Sequence, residues 1–293
     1  QLEALVGLGD TTAQDSFDSF KTSGLASIAQ GRLTLASGDP EAISDQLSAI
    51  TLYYTPYVGD EISLWNATDS RWDVYQFTQR SLDLNGLASN TNYDIFAFDS
   101  SGSVALQAVP WTNSGAGTSA RAEAISRRNG VYVKTSDNRR YLGSLRTTFS
   151  GQTDDSKQNR YLWNANNRIR KTILKLMLGV GQYFYSSTSW RAANNDTSHQ
   201  IRVIAGLQSA LRVDSGMNSA PNSTTAASAQ GGIGFDSTTV NSSQIWASRP
   251  NTTDQVLVTA FANLDVDEGY HYFQLLERGG ANEGFFGEAS SGN

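Results

Sequence analysis

The stretch NYDIFAFDSSGSVALQAVPW, residues 92–111, constrains the fold more than any other part of the chain. It alternates side by side: Tyr93, Ile95 and Ala97 point one way, and Asp94, Phe96 and Phe98 the other, as on a pleated strand. Asp99-Ser100-Ser101-Gly102 is a turn, and Val104 to Val109 runs back, so the segment reads as a β-hairpin. Similar runs recur along the chain. GRLTLAS from Gly31 alternates polar and apolar residues, and TLYYTPYVGDEISLWN reads as two strands around Pro56 and Gly59-Asp60. RWDVYQFTQ is a further strand, and VYVKTSDNRRYLGSLRTTFS is a second hairpin around Ser136-Asp137-Asn138. The second half repeats the theme in GQYFYSS, HQIRVIAGLQ, SALRVDS, QGGIGFDS, SQIWAS, DQVLVTAFANL, EGYHYFQLLERG and NEGFFGE.

Composition agrees with short strands joined by many turns. Gly is abundant at 26 copies, Pro is scarce at 5, and only 17% of residues are charged. The expected fold is mainly β: two antiparallel β-sandwich or jelly-roll-like domains, residues 31–150 and 151–293, behind a short N-terminal stem, residues 1–30, with some helix. The wholly polar GQTDDSKQNR, residues 151–160, reads as the linker. Helix is expected in parts of 1–30, in AGTSARAEAISRRNG over 116–129 with Gly130 as its stop, and over 160–171. Residues 216–230, poor in apolar groups, read as a mobile loop. No repeat of 20–50 residues and no sustained heptad is present, which argues against a solenoid, a propeller or a long coiled coil.

Charge and cysteine usage narrow the function classes. A net charge of −6 without a clustered basic surface argues against nucleic acid as a partner. The absence of Cys removes disulfides and zinc–thiolate sites. No apolar run reaches the roughly 18 residues of a membrane span, so membrane insertion is not expected. The chain opens on Gln1 without the basic start and apolar core of a signal peptide, which points to a processed chain or a fragment of a longer protein.

Candidate chemistry is sparse. His199 and His271 both sit inside strand-like runs, and no Gly-x-Ser-x-Gly elbow accompanies them. Asp154-Asp155 form the only paired carboxylates in the linker, where solvation is the plainer role than glycosidase catalysis. Asp265, Asp267 and Glu268 in NLDVDEG are hard, closely spaced ligands of the kind Ca²⁺ accepts, but they lack a complete loop signature, and a surface turn is the simpler reading. No metal or organic cofactor is expected. The doublets Arg127-Arg128 and Arg139-Arg140, and the looser group Arg168, Arg170, Lys171 and Lys175, are expected to pair with carboxylates or another subunit, with an anionic-sugar patch as the alternative.

The segments TLYYTPYVGDEISLWN, RWDVYQF, NYDIFAFDSSGSVAL, RRYLGSLRTT, GQTDDSKQNRYLWN with NRIRK, and GYHYFQLLE, in this order, resemble a family of bacteriophage virion proteins of fibre type. The resemblance covers most of residues 31–290. Separately, ALVGLGDTTAQDSF resembles the Gly-, Ala- and Thr-rich joints that precede domains in tail fibres. The resemblance implies a structural virion protein, a homotrimeric tail or head fibre without a catalytic motif. Such a protein is assembled in the host cytoplasm, contacts other virion proteins, and takes part in host attachment through a cell-surface glycan or protein. Two alternatives stand beside it: a capsid decoration or cement protein that binds only virion subunits, and a fibre-borne carbohydrate-active enzyme.

The stem carries the oligomerisation expectation. Leu2, Leu5, Val6, Leu8, Phe17, Phe20, Leu25 and Ile28 form an apolar set with few charges to solubilise it. Burying such side chains contributes about 1.5–3 kcal/mol each, and symmetry-related copies of the same segment are the simplest cover. Replacing Phe17 and Phe20 with Ser is therefore expected to loosen a trimer, seen as a fall in mass by light scattering at low protein concentration; an unchanged mass would make the stem a passive tether.

Overall fold

The computed structural model describes residues 25–149, 151–177, 181–221, 228–246, 256–279 and 283–286. The protein is mainly β, built from antiparallel sheets of sandwich type. Two compact units interleave along the chain. The first takes residues through Asn113, Ala120–Asp154 and Leu162–Arg170; the second takes Ser114–Ser119, Asp155–Tyr161 and the chain from Lys171 onward.

In the first unit, strands Gly31–Thr34, Thr51–Pro56 and Arg80–Asp83 form one antiparallel sheet. Glu61–Asn66 and Arg71–Gln76 form a hairpin. A larger sheet runs Ser103–Pro110, Asn92–Ser100, Arg140–Arg146, Val131–Lys134, Ile125–Arg128, and Leu162–Asn164 adds to the Arg140–Arg146 strand. The apolar faces meet in one core. Leu33, Leu52 and Tyr54 come from the first sheet, Ile62 and Leu64 from the hairpin, and Tyr93, Ile95, Ala97, Leu142 and Leu145 from the larger sheet. The alternation in NYDIFAF thus does what it predicts: Tyr93, Ile95 and Ala97 enter this core. The hairpin turn closes on Ser101 and Gly102, both at positive φ (54° and 84°), the geometry whose twist matches paired strands.

The opposite face of the Asn92–Ser100 strand is buried as well, but around a charge. Asp94 Oδ2 accepts a hydrogen bond from Arg121 Nε at 2.7 Å, and Asp94 Oδ1 one from Ser144 Oγ at 2.7 Å. Ser144 Oγ lies 2.6 Å from Tyr141 Oη. The Arg121 guanidinium stands over the rings of Trp111 and Tyr141, at 4.5 and 5.7 Å from their centroids. Burial pushes the Asp94 carboxyl up, and the Arg121 charge with its hydrogen bonds pulls against that shift.

The second unit is also two facing sheets. Gly269–Gly279 is the hub of one: Ala229–Phe235 pairs along one edge, Gln200–Ala205 and Arg191–Ala192 along the other, and Asn159–Arg160 runs parallel to Gln200–Ala205. The other sheet orders Gln182–Phe184, Glu283–Phe286, Ser209–Pro221, Val256–Val266 and Ile245–Trp246. Val203, Ile233 and Phe273 from the first pack against Ala260, Ala262 and Val266 from the second.

Several expectations change. Over 116–129 there is no helix: Ile125–Arg128 is a strand that pairs with Val131–Lys134. The intervening Asn129-Gly130, at φ 50° and 81°, is a two-residue hairpin turn, and this turn chemistry outweighs the helix-favouring Ala, Glu and Arg before it. Within 160–171 the regular element is the strand Leu162–Asn164. Among the described residues the helical structure is confined to a 3₁₀ turn at Ala193–Asn195, and no helix there is long and apolar enough to cross a membrane. The expected linker 151–160 holds the strands Thr153–Asp155 and Asn159–Arg160, with Thr153 to Ser156 buried. Its polar residues are inside because they are paired: Asp155 takes Arg160 at 3.0 Å and also Lys171. The expected loop over 216–230 is strand at both ends, since Ser209–Pro221 pairs with Val256–Val266 as far as Ser219; residues 222–227 lie outside the described residues. Of the stem, residues 25–30 pair along the Glu61–Asn66 strand, and Ala26 is buried beside Trp72 and Val133. Leu25 and Ile28 are half-buried there, while Leu2, Leu5, Val6, Leu8, Phe17 and Phe20 lie outside the described residues.

Two substitutions test this account. Asp94→Ala leaves the buried Arg121 charge without its partner and is expected to cost about 3–5 kcal/mol in denaturant unfolding. A loss under about 1 kcal/mol would show that the pair is a passenger of the fold. Gly143 sits at a bulge with φ 155°, and an added Cβ would lie 2.1 Å from the Trp163 carbonyl oxygen. Gly143→Ala is expected to lower stability by more than about 1 kcal/mol, whereas a neutral outcome would mean that the Leu162–Asn164 strand shifts freely.

Candidate functional site

The first unit carries an open groove of about 580 Å³, within the roughly 300–1,000 Å³ span of small-ligand clefts. Three turns bring it together, and in each the turn residues hold themselves in place. In the first, Asn66 Oδ1 accepts the backbone N–H groups of Thr68 (3.0 Å) and Asp69 (3.1 Å), and Arg71 bridges Asp69 at 3.1 Å and Asp73 at 2.7 Å. In the second, Asp99 Oδ1 accepts Gly102 N–H at 2.7 Å. In the third, Asn138 N–H donates to the Lys134 carbonyl at 2.8 Å, and Asp137 pairs with Lys134 and Arg139, each at 3.1 Å.

The walls are aromatic and the rim is polar. Trp65, Tyr75 and Phe98 line the groove together with Asn66, Asp69, Asp99, Asp137, Asn138 and Arg139. Arg128 lies over Trp65 at 4.2 Å, and Arg139 over Phe98 at 4.1 Å. Arg139 also donates to Gln107 Oε1 at 2.6 Å. Burial pushes the Tyr75 hydroxyl up, and the neighbouring carboxylates Asp99 and Asp73 push it further, so Tyr75 stays a neutral donor. Burial disfavours the Asp73 carboxylate, but hydrogen bonds from Arg71 and Asn66 outweigh that and hold its carboxyl below the usual range. Of the lining carboxylates, Asp69 is matched by Arg71, and Asp137 by Lys134 and Arg139. Aromatic faces beside fixed carboxylate and amide acceptors suit a ligand with apolar C–H faces and many hydroxyl donors.

The residues singled out from sequence are spread elsewhere. Asp265, Asp267 and Glu268 are exposed, and among the described residues no group of three or more His, Asp or Glu is placed to hold one metal ion. Asp155 is buried with its cations and Asp154 Oδ1 accepts Ser48 N–H at 2.9 Å, so this pair does not face an open site. His199 is buried, with Nδ1 3.3 Å from the Ala193 carbonyl. His271 Nδ1 lies 2.7 Å from Asp236 Oδ2, and Nε2 lies 3.1 Å from the Asp267 carbonyl. Ser119 belongs to the same neighbourhood, since its Oγ accepts Tyr270 N–H at 3.1 Å and donates to the Gly115 carbonyl at 2.8 Å. Ser, His and Asp therefore come near one another, but both ring nitrogens face oxygen acceptors and the hydroxyl is already spent, which is not the arrangement of a nucleophile and its base.

Basic residues expected to meet carboxylates mostly cover rings instead. Arg127 lies over Tyr132, Arg128 over Trp65 and Arg168 over Trp163, whereas Lys171 pairs with Asp155 and Arg139 pairs with Asp137 as well as covering Phe98. The groove itself went unseen in the sequence. Its one signal is that NATDS and DSSG each come directly after an aromatic residue near the end of a strand, Trp65 or Phe98.

No family model matches the chain, and no curated protein does. Among solved structures, the crystal structure of a Bacillus thuringiensis Cry1Da tryptic core variant aligns with 89% of this chain at 8% identity and a TM-score of 0.18. The alignment covers 52% of that protein, so the chain spans about half its length, and a likeness this weak carries no inference about fold or function.

Proposed function

We propose that this protein is a non-enzymatic structural and attachment component of a bacteriophage virion, a homotrimeric fibre protein that grips a neutral or amino-bearing glycan of the host surface in the groove between Trp65, Tyr75 and Phe98. The fibre reading rests on the ordered resemblance of residues 31–290 to fibre-type virion proteins and on the mainly-β sandwich architecture. The attachment reading rests on the groove, whose aromatic walls and fixed polar rim belong to strands and tight turns rather than to long loops. Its cations are taken up by Asp69 and Asp137, which leaves no spare positive charge for acidic sugars, and its fixed oxygen acceptors favour hydroxyl and amino donors. In this reading the remaining surface serves contacts with other virion proteins.

The test is direct binding of the purified protein to surface glycans of the host and to defined neutral, amino and acidic oligosaccharides. Neutral or amino sugars are expected to bind, and Phe98→Ala or Asp137→Asn to weaken binding at least about tenfold, which corresponds to about 1.4 kcal/mol. Phe149→Ser, at an exposed site outside the groove lining, is expected to change nothing. No binding to any glycan, preference for acidic sugars, or equal binding by the groove variants would overturn the attachment reading.

A further inference from the structure

The buried and half-buried arginines meet two kinds of partner: some pair with carboxylates, whereas Arg32 donates to the carbonyls of Asn167 and Pro40 and Arg146 to Asn92 Oδ1. Arg121 meets Asp94 at 2.7 Å, Arg160 meets Asp155 at 3.0 Å, and Arg191 meets Glu277 at 2.7 Å. Arg140 is among the most deeply buried, 2% exposed, and no carboxylate among the described residues pairs with it. Its Nη1 donates to the carbonyls of Ala26 at 2.8 Å and Ser63 at 3.0 Å; its Nη2 reaches the Ser27 carbonyl only at 3.5 Å, and its Nε–H has no partner. Carbonyl dipoles satisfy N–H groups but leave the unit charge uncompensated, which is unfavourable away from water. Burial accordingly draws the pKa of Arg140 down to about 10.

Beside Arg140 lies a cavity of about 270 Å³ lined by Ser27, Asn129, Tyr132, Ala165 and Asn166, with no acidic residue in its wall. Asn129 Oδ1 is occupied by Trp72 Nε1–H at 3.1 Å, which leaves the amide N–H groups of Asn129 as donors. We infer that this cavity is a binding site for a small carboxylate anion, with Arg140 supplying the counter-charge and the surrounding amides and hydroxyls its hydrogen bonds. The stoichiometry of charge favours a monoanion, because one guanidinium balances one negative charge and a dianion would leave an excess. Nη2 reaches only the Ser27 carbonyl, at 3.5 Å, and Ser27 lines the cavity, so Nη2 keeps a donor for an anion held there. This site is separate from the aromatic groove and does not depend on its reading.

Acetate is the probe. Thermal melts of the whole protein at constant ionic strength, with acetate replacing chloride, are expected to show a melting temperature that climbs with acetate concentration, because a ligand held by the native state alone stabilises it by mass action. Calorimetric titration should give saturable binding. Arg140→Gln removes backbone hydrogen bonds along with the charge, so the deciding variant is Ala165→Phe, which fills the cavity and leaves Arg140 in place. It is expected to keep the wild-type circular dichroism spectrum and to bind acetate at least about tenfold more weakly. Superimposable melts in acetate and chloride, an Ala165→Phe protein that binds acetate as the wild type does, or a stronger response to sulfate than to acetate would each overturn the assignment.

Discussion

The contact between Asp94 and Arg121 sets the frame for the first unit. It sits on the face of the large sheet opposite the apolar core, so the central strands are buried on both sides and have no solvated face to slip toward. Register is therefore enforced twice. Ser144 lies opposite Asp94 in the ladder and donates to it, and a one-residue slip would break that bond and turn Tyr93, Ile95 and Ala97 away from the core. A buried ion pair adds little net stability against a hydrophobic alternative, but its partial loss is severe, which suits a group that selects one pairing among several.

Outside these buried pairs, guanidinium groups are used as covers for rings. Arg127, Arg128, Arg139, Arg168, Arg212 and Arg278 each lie within about 5 Å of an aromatic centroid. In a protein of short strands and few charges, aromatic side chains at strand ends cannot all reach a core. An arginine laid over such a ring keeps its charge in water and shields apolar area, contributing about 0.5–1 kcal/mol at exposed positions.

The strands were legible because their alternation is local: a single segment such as NYDIFAF states both its period and its buried face. Hairpin turns were legible where Asp, Asn, Ser and Gly cluster. Local sequence misleads where its signal competes with a distant partner. ARAEAISRR has helix-favouring composition, but the left-handed pair Asn129-Gly130 and the VYVK strand after it recruit Ile125–Arg128 into a sheet. GQTDDSKQNR looks solvated until Lys171 arrives from beyond the next strand to join Arg160 around Asp155. The groove was illegible for the same reason, since strand pairing brings Arg139 to Phe98 but only the packing of a separate hairpin brings Trp65 to them.

That assembly also decides how the groove would work. Each of its turns is closed by its own side chains, Asn66 over the first, Asp99 over the second and Asp137 with its cations at the third, so few rotamers remain to be frozen when a ligand arrives. Ordering a flexible polar side chain costs about 0.5–1.5 kcal/mol, and a rim that is ordered beforehand avoids most of that cost. Pre-ordering has a chemical consequence too. Carboxylates already engaged by Arg71, Tyr75 or Arg139 keep only part of their acceptor capacity for a ligand. Each contact to a sugar hydroxyl is then weak, and specificity has to come from shape against the aromatic walls. Under the proposed attachment function, such a surface would hold a single sugar loosely, and firm attachment would come from several copies engaging one glycan-covered surface together, as the proposed fibre would allow.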